Sequence, residues 1–189
     1  KTIVVVAPRI LLAQQLCKEF MEVLTGAMLT DKNVLHVHSG ETQYETTTTT
    51  DKIYLWHKGT PGHKLIFTTY HSLNKVMRST IDVDTIYFDE AHNSVQKNFI
   101  ESVAHFAKKV GRAYFFTATP KESKSRLAMN DVSVFGKRIV DVPAPDLVKQ
   151  GYILEPRVRS KKYNCGFYQS TELIDKEVIL DALKNEDHM

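Results

Sequence analysis

Thr85-Ile86-Tyr87-Phe88-Asp89-Glu90-Ala91-His92 sets a short apolar run directly against two carboxylates and an imidazole. The apolar part predicts a strand over Thr85–Phe88, and the abrupt change of character predicts that the acidic pair sits at its carboxyl end. A pair placed there suits two tasks. The first carboxylate can hold a hydrated divalent cation, and the second can polarise an attacking water. Acidic residues at a helix start also stabilise the helix through its dipole. Asp89-Glu90 taken alone leaves both readings open.

The flanking sequence gives the pair its setting. Ile3–Ala7 is a β-branched run closed by Pro8, the pattern of a strand buried on both faces. Ile10–Leu24 follows with Leu12, Leu16, Phe20 and Val23 at helical spacing. Further strands are predicted at Val34–Val37, Leu65–Thr68, Ala113–Phe116 and Val134–Val142. Helical stretches are predicted around Ile53–His57, Ser72–Met77, Val95–Val110, Ser123–Met129, Asp146–Gly151 and Glu172–Leu183, with a second extended segment at Ile153–Arg159. Thr46–Thr50 is low-complexity. Strands alternating with helices at this spacing mean βαβ units, an α/β fold and a mostly parallel sheet with helices on both faces. Ligands of such sheets bind beyond the carboxyl ends of the strands. Pro8-Arg9, Ser39-Gly40, Thr68-Thr69-Tyr70, Asp89–His92 and Thr117-Ala118-Thr119 therefore fall on one edge.

Composition excludes much and selects little. The 189 residues are 42% hydrophobic and 25% charged, with a net charge of +3. That fits one ordinary globular domain and excludes collagen, coiled coil, a disordered tail and a membrane channel. The charge permits contact with nucleic acid without requiring it. Cys17 and Cys165 make neither a disulfide framework nor a zinc site, which suits a reducing intracellular setting.

Ile86–His92 followed, after one helix, by Phe115-Phe116-Thr117-Ala118-Thr119-Pro120 closely resembles motifs II and III of superfamily 2 helicases. Val5-Val6-Ala7-Pro8-Arg9-Ile10-Leu11-Leu12-Ala13-Gln14-Gln15 is similar to their motif Ia. Phe67-Thr68-Thr69-Tyr70-His71-Ser72-Leu73 is similar to the threonine-bearing motif between Ia and II. The four motifs stand in the family's order and cover about residues 1–160. Their style, with Phe135-Gly136 and Gly151-Tyr152-Ile153-Leu154, most resembles the helicase subunits of type III restriction enzymes and related viral or phage helicases.

The resemblance implies a three-layer RecA-like motor domain over residues 1–159, with 160–189 leading toward a second motor domain through the helix at Glu172–Leu183. It implies ATP and Mg²⁺ as cofactors, with Asp89 holding the metal and Glu90 activating the water. His92 would link the nucleotide site to motif III through Thr117 or Thr119. Arg9, Thr68 and Thr69 would contact single-strand phosphates without reading bases, with DNA favoured over RNA. The alternatives are an RNA helicase and a non-hydrolysing binding module on the same fold.

The 189 residues hold no Gly-x-x-x-x-Gly-Lys-Ser/Thr phosphate loop. In the family that loop precedes motif Ia, so the sequence is expected to begin just after it, and alone to be inactive toward ATP. His36 and His38 share one face of a predicted strand but lack a third ligand, which favours a structural reading over a metal pair. His92 has no second histidine at helical spacing, which excludes a zinc hydrolase of the His-Glu-x-x-His kind. Tyr54 and Trp56 read as packing. Lys108-Lys109 and Lys161-Lys162 read as solvated faces.

Overall fold

The computed structural model describes residues 1–24, 29–123 and 128–155. Two compact units divide the chain, Lys1–Ile139 and Val140–Met189. The first unit carries the sheet. Its strands are β1 (Thr2–Ala7), β2 (Val34–Val37), β3 (Glu45–Thr46), β4 (Lys64–Thr69), β5 (Thr85–Phe88) and β6 (Arg112–Phe115). Their order is β3-β2-β4-β1-β5-β6, and every pairing is parallel. The intervening helices are α1 (Ile10–Val23), α2 (Thr50–Gly59), α3 (Leu73–Arg78), α4 (Ile100–Lys109) and α5 (Val132–Phe135).

The period-2 alternation of side chains builds two cores. Val4 and Val6 of β1, Ile66 of β4 and Ile86 and Phe88 of β5 face one layer. There they meet Ile53 and Trp56 of α2, Leu73 and Val76 of α3, and Val103 and Phe106 of α4. Val5 and Ala7, with Leu65 and Phe67, face the other layer and meet Ala13 and Cys17 of α1. β1 lies between β4 and β5 with its apolar residues buried on both faces. That is why it reads as a continuous β-branched run.

Three sequence expectations need correction. Val134–Val142 is not a strand. Its start belongs to α5, whose cap Asp131 accepts a hydrogen bond from Ser133 N–H, and Gly136 at φ 70° then turns the chain. Val134 and Phe135 pack against the first core from that short helix. The helix expected from Val95 begins only at Ile100, because a 3₁₀ turn at Ala91–Asn93 and further turns carry the chain away from the acidic loop first. The threonine run hides β3, two residues paired to Leu35 and His36. In the second unit α6 (Ala144–Lys149) supplies the short helix expected around Asp146–Gly151, starting two residues earlier, and Pro143 precedes its start. The stretch 124–127, the end of the extended segment at Ile153–Arg159, the helix at Glu172–Leu183 and the boundary near residue 160 lie outside the described residues.

Because all six strands run one way, Arg9, Ser39, Tyr70, Asp89 and Thr117 emerge on the same edge.

Candidate functional site

The acidic loop is held from several sides. Asp89 N–H donates to Val6 carbonyl at 2.9 Å and Ala91 N–H to Phe116 carbonyl at 2.8 Å, which ties the loop to the ends of β1 and β6. Asn93 Nδ2 donates to Glu90 carbonyl at 2.9 Å. Glu90 itself adopts the left-handed conformation, φ 45° and ψ 51°. A non-glycine residue there costs about 1–2 kcal/mol, and such strain persists where the surroundings over-determine it.

Asp89 is half-buried. Burial, with the Glu90 carboxylate beside it, pushes its pKa up, opposed by a hydrogen bond from Glu90 N–H. No cationic side chain among the described residues pairs with it. A partly desolvated carboxylate lacking a cation suits Mg²⁺, a hard ion that prefers oxygen ligands. The described residues contain no cluster of three or more metal-ligating side chains.

His92 stands between the two strand ends. Its Nδ1 lies 3.0 Å from Thr117 Oγ1, 3.3 Å from Glu90 Oε2 and 3.4 Å from Thr119 Oγ1. Asn93 Nδ2 approaches His92 Nε2 at 3.5 Å. An amide N–H can only donate, so this contact places the imidazole proton on Nδ1, where it faces the Thr117 hydroxyl and the Glu90 carboxylate together. Thr119 N–H donates to Thr117 Oγ1 at 3.2 Å. The structure thus gathers Asp89, Glu90, His92, Thr117 and Thr119 into one group.

Arg9 and Thr69 meet elsewhere on the same edge. They line an open cleft of about 420 Å³ with Pro8, Ile10, Leu11, His38, Ser39, His71 and Ser72. The loop after β2 packs closely here. A Cβ on Gly40 would fall 2.5 Å from Ile10 Cγ2, and Gln14 Nε2 donates to Glu41 carbonyl at 2.6 Å. Thr68 does not join the cleft. It is fully buried, and its hydroxyl donates to Val37 carbonyl at 3.0 Å.

His36 and His38 form a hydrogen-bonded pair, Nδ1 to Nε2 at 2.9 Å. Gly40 N–H donates to His38 Nδ1 at 3.1 Å. The proton of neutral His38 therefore sits on Nε2 and is given to His36 Nδ1. The proton of His36 then sits on Nε2, which has no partner among the described residues. Its ring is stacked between Tyr44 and Phe67 and is fully buried. Burial first, then the neighbouring His38, lowers its pKa to about 4.

Sequence reasoning missed Tyr70. It is 2% exposed, and its hydroxyl donates to Asp89 carbonyl at 2.8 Å. Ser94 Oγ donates to that hydroxyl at 3.4 Å. Burial pushes its pKa well above the ordinary tyrosine range. The signal was an aromatic with a polar tip at a strand end, one residue past Thr69.

Among solved structures the fold is similar to that of a nuclease-deletion mutant of the Type ISP restriction-modification enzyme LlaGI in complex with a DNA substrate mimic. The TM-score is 0.62 at 22% identity, covering 79% of this chain and 14% of that one. The likeness establishes a RecA-like α/β fold. No curated protein matches the chain. The family model for DEAD/DEAH box helicases matches residues 1–127, from β1 through the acidic loop and past Thr119. With Asp89-Glu90-Ala91-His92 at the end of β5 and Thr117-Ala118-Thr119 beside it at the end of β6, the chain belongs to the DEAD/DEAH box helicase family.

Proposed function

We propose that this domain is the acidic and strand-gripping part of an ATP-driven motor that moves along single-stranded nucleic acid. The observation that carries the reading is the group at the ends of β5 and β6, where Asp89, Glu90, His92 and Thr117 sit within one hydrogen-bonded loop system. Asp89 would hold Mg²⁺, which supplies charge neutralisation at the terminal phosphates when bound. Glu90 is half-exposed. It orients the attacking water and takes its proton. His92, donating from Nδ1, sets the position of that carboxylate relative to Thr117 and so relates the acidic loop to β6. The 189 residues contain no phosphate loop, so the triphosphate cradle in this reading comes from outside them, and the isolated chain turns over no ATP.

Arg9 and Thr69 grip phosphates in the cleft. Thr68 supports that edge from within through its bond to Val37. DNA is favoured over RNA, because the motif style resembles restriction-enzyme helicases and the structurally similar LlaGI mutant was held with a DNA substrate mimic.

The test is strand-stimulated ATP hydrolysis by the intact protein, with single-stranded DNA and RNA compared. Glu90→Gln should cut turnover by about 10²–10⁴ while nucleotide still binds. Equal loss of binding and turnover would place Glu90 in folding instead. Failure of both strands to stimulate hydrolysis would remove the motor reading.

A further inference from the structure

We infer that Asn93 is the positioning residue of the acidic loop: its one amide group clamps the backbone of Glu90 and selects the tautomer of His92. The inference rests on the reading of Glu90 as the carboxylate that activates water, and deepens it.

Glu90 carbonyl accepts twice from Asn93, from the backbone N–H at 3.0 Å and from Nδ2 at 2.9 Å. Both donors act on the residue that carries the left-handed turn, φ 45° and ψ 51°. Relaxation of Glu90 toward an ordinary backbone conformation swings that carbonyl away and loses both bonds. The carboxylate is therefore aimed from a strained backbone that Asn93 holds in place.

The Asn93 amide is itself oriented from two sides. A carbonyl only accepts, so the group facing Glu90 carbonyl is the NH₂. Gln96 Nε2 donates to Asn93 Oδ1 at 2.9 Å and fixes the other end. The same NH₂ then meets His92 Nε2 at 3.5 Å. That is too long for a strong bond, but a proton on Nε2 would set two N–H groups against each other. On the far side of the ring Glu90 Oε2, 3.3 Å from Nδ1, calls for a proton there. Both contacts favour the Nδ1–H form. Aspartate at position 93 has the same shape and no donor. It would repel Glu90 carbonyl and accept a proton from Nε2.

The first test is the imidazole ¹⁵N spectrum of the 189-residue chain at alkaline pH, where histidines are neutral, with His92 assigned by its loss in His92→Gln. Glu90→Gln replaces the carboxylate by a group that can donate or accept, so Asn93 alone selects the tautomer. His92 should carry its proton on Nδ1 in Glu90→Gln and on Nε2 when Asn93→Asp is added. The same tautomer in both would overturn the inference. Should the aspartate variant fail to fold, Asn93→Ala takes its place and should give a mixture of tautomers; an undiluted Nδ1–H form would overturn it. The second test is strand-stimulated hydrolysis by the intact protein. Asn93→Asp should lower kcat by about tenfold or more, the scale of a lost hydrogen bond to a charged group, with KM for ATP nearly unchanged. In the Glu90→Gln background it should add nothing. A loss shared equally by kcat and nucleotide affinity, or one that persists without Glu90, would overturn the inference while the effect of Glu90→Gln still supports the catalytic reading. Full turnover by Glu90→Gln would overturn both.

Discussion

His36 makes the domain sensitive to mild acid, and the size of the effect follows from its surroundings. The ring is fully buried between Tyr44 and Phe67, with Nδ1 occupied by the proton of His38 and Nε2–H unpartnered. A second proton has only Nδ1 to occupy, which requires His38 to withdraw its own. Burial and His38 lower the pKa from 6.5 to about 4. The depressed value means the unfolded chain takes up the proton first as pH falls. Stability is complete above about pH 6.5 and is lost progressively toward pH 4. Between pH 7.5 and 5.0 linkage gives a loss of about 2 kcal/mol from this group, and about 3 kcal/mol once pH is below 4. His38 is also lowered by burial, so it adds to the same trend. The assay is urea unfolding at pH 7.5 and 5.0 for the chain and for His36→Gln. Glutamine keeps an acceptor for the His38 proton but cannot titrate. Any packing loss enters at both pH values and cancels in the comparison. The variant should lose about 2 kcal/mol less than the unaltered chain. Equal losses would refute the assignment of the acid sensitivity to His36.

Substitutions at three other positions test the ties around the site. Tyr70→Phe removes the hydroxyl bond to Asp89 carbonyl and should cost about 1 kcal/mol by urea unfolding; in the intact protein it should also raise the Mg²⁺ concentration needed for half-maximal turnover. Gly40→Ala drives a Cβ to 2.5 Å from Ile10 Cγ2; overpacking of that kind costs about 1–3 kcal/mol, read as a lower Tm and weaker strand binding through displaced Arg9. Glu90→Gly and Glu90→Ala both delete the carboxylate, but only glycine accepts φ 45° freely, so the glycine variant should be the more stable by about 1 kcal/mol. Equal unfolding midpoints for that pair would show that the left-handed turn carries no strain.

The parts of the fold that rest on local pattern were legible. β1 announces itself because burial on both faces requires an unbroken apolar run, and the one-edge placement of Arg9, Asp89 and Thr117 follows from parallel order. Long-range choices were not legible. Val134 and Phe135 are as apolar as a strand, yet they serve α5, because the Asp131 cap and Gly136 bound a single helical turn. β3 exists only through its pairing with Leu35 and His36. The chemistry divides in the same way. Asp89, Glu90 and His92 could be found from spacing, since consecutive residues share one loop. Tyr70 could not, because its partner lies nineteen positions away and the bond forms only when β4 and β5 flank β1. Thr68 and Thr69 look alike in sequence. The alternation of a strand sends one hydroxyl to Val37 and leaves the other at the cleft.

The acidic loop combines two costly features, a left-handed Glu90 and a half-buried Asp89 whose carboxylate pairs with no cationic side chain among the described residues. Each destabilises the fold, and each is tolerated because the loop is fastened to three strands. Val6 carbonyl fixes it to β1, Phe116 carbonyl to the end of β6, and Tyr70 to the end of β4. These fastenings also define what moves together. Tyr70 follows Thr69 and precedes His71, both of which line the cleft. Its own N–H donates to Ala7 carbonyl at 3.2 Å, the residue before Pro8-Arg9. The cleft and the acidic loop therefore share one short piece of backbone at β1 and β4. His92, with Thr117 and Glu90 both within reach of one proton, lies on the opposite side of the loop. A shift of the β6 end that lengthens the Thr117 contact leaves that proton to Glu90, and one that shortens it frees the carboxylate. In the proposed motor the strained loop would thus stand between a rigid connection to the cleft and an exchangeable connection to β6, through which one site would sense the other.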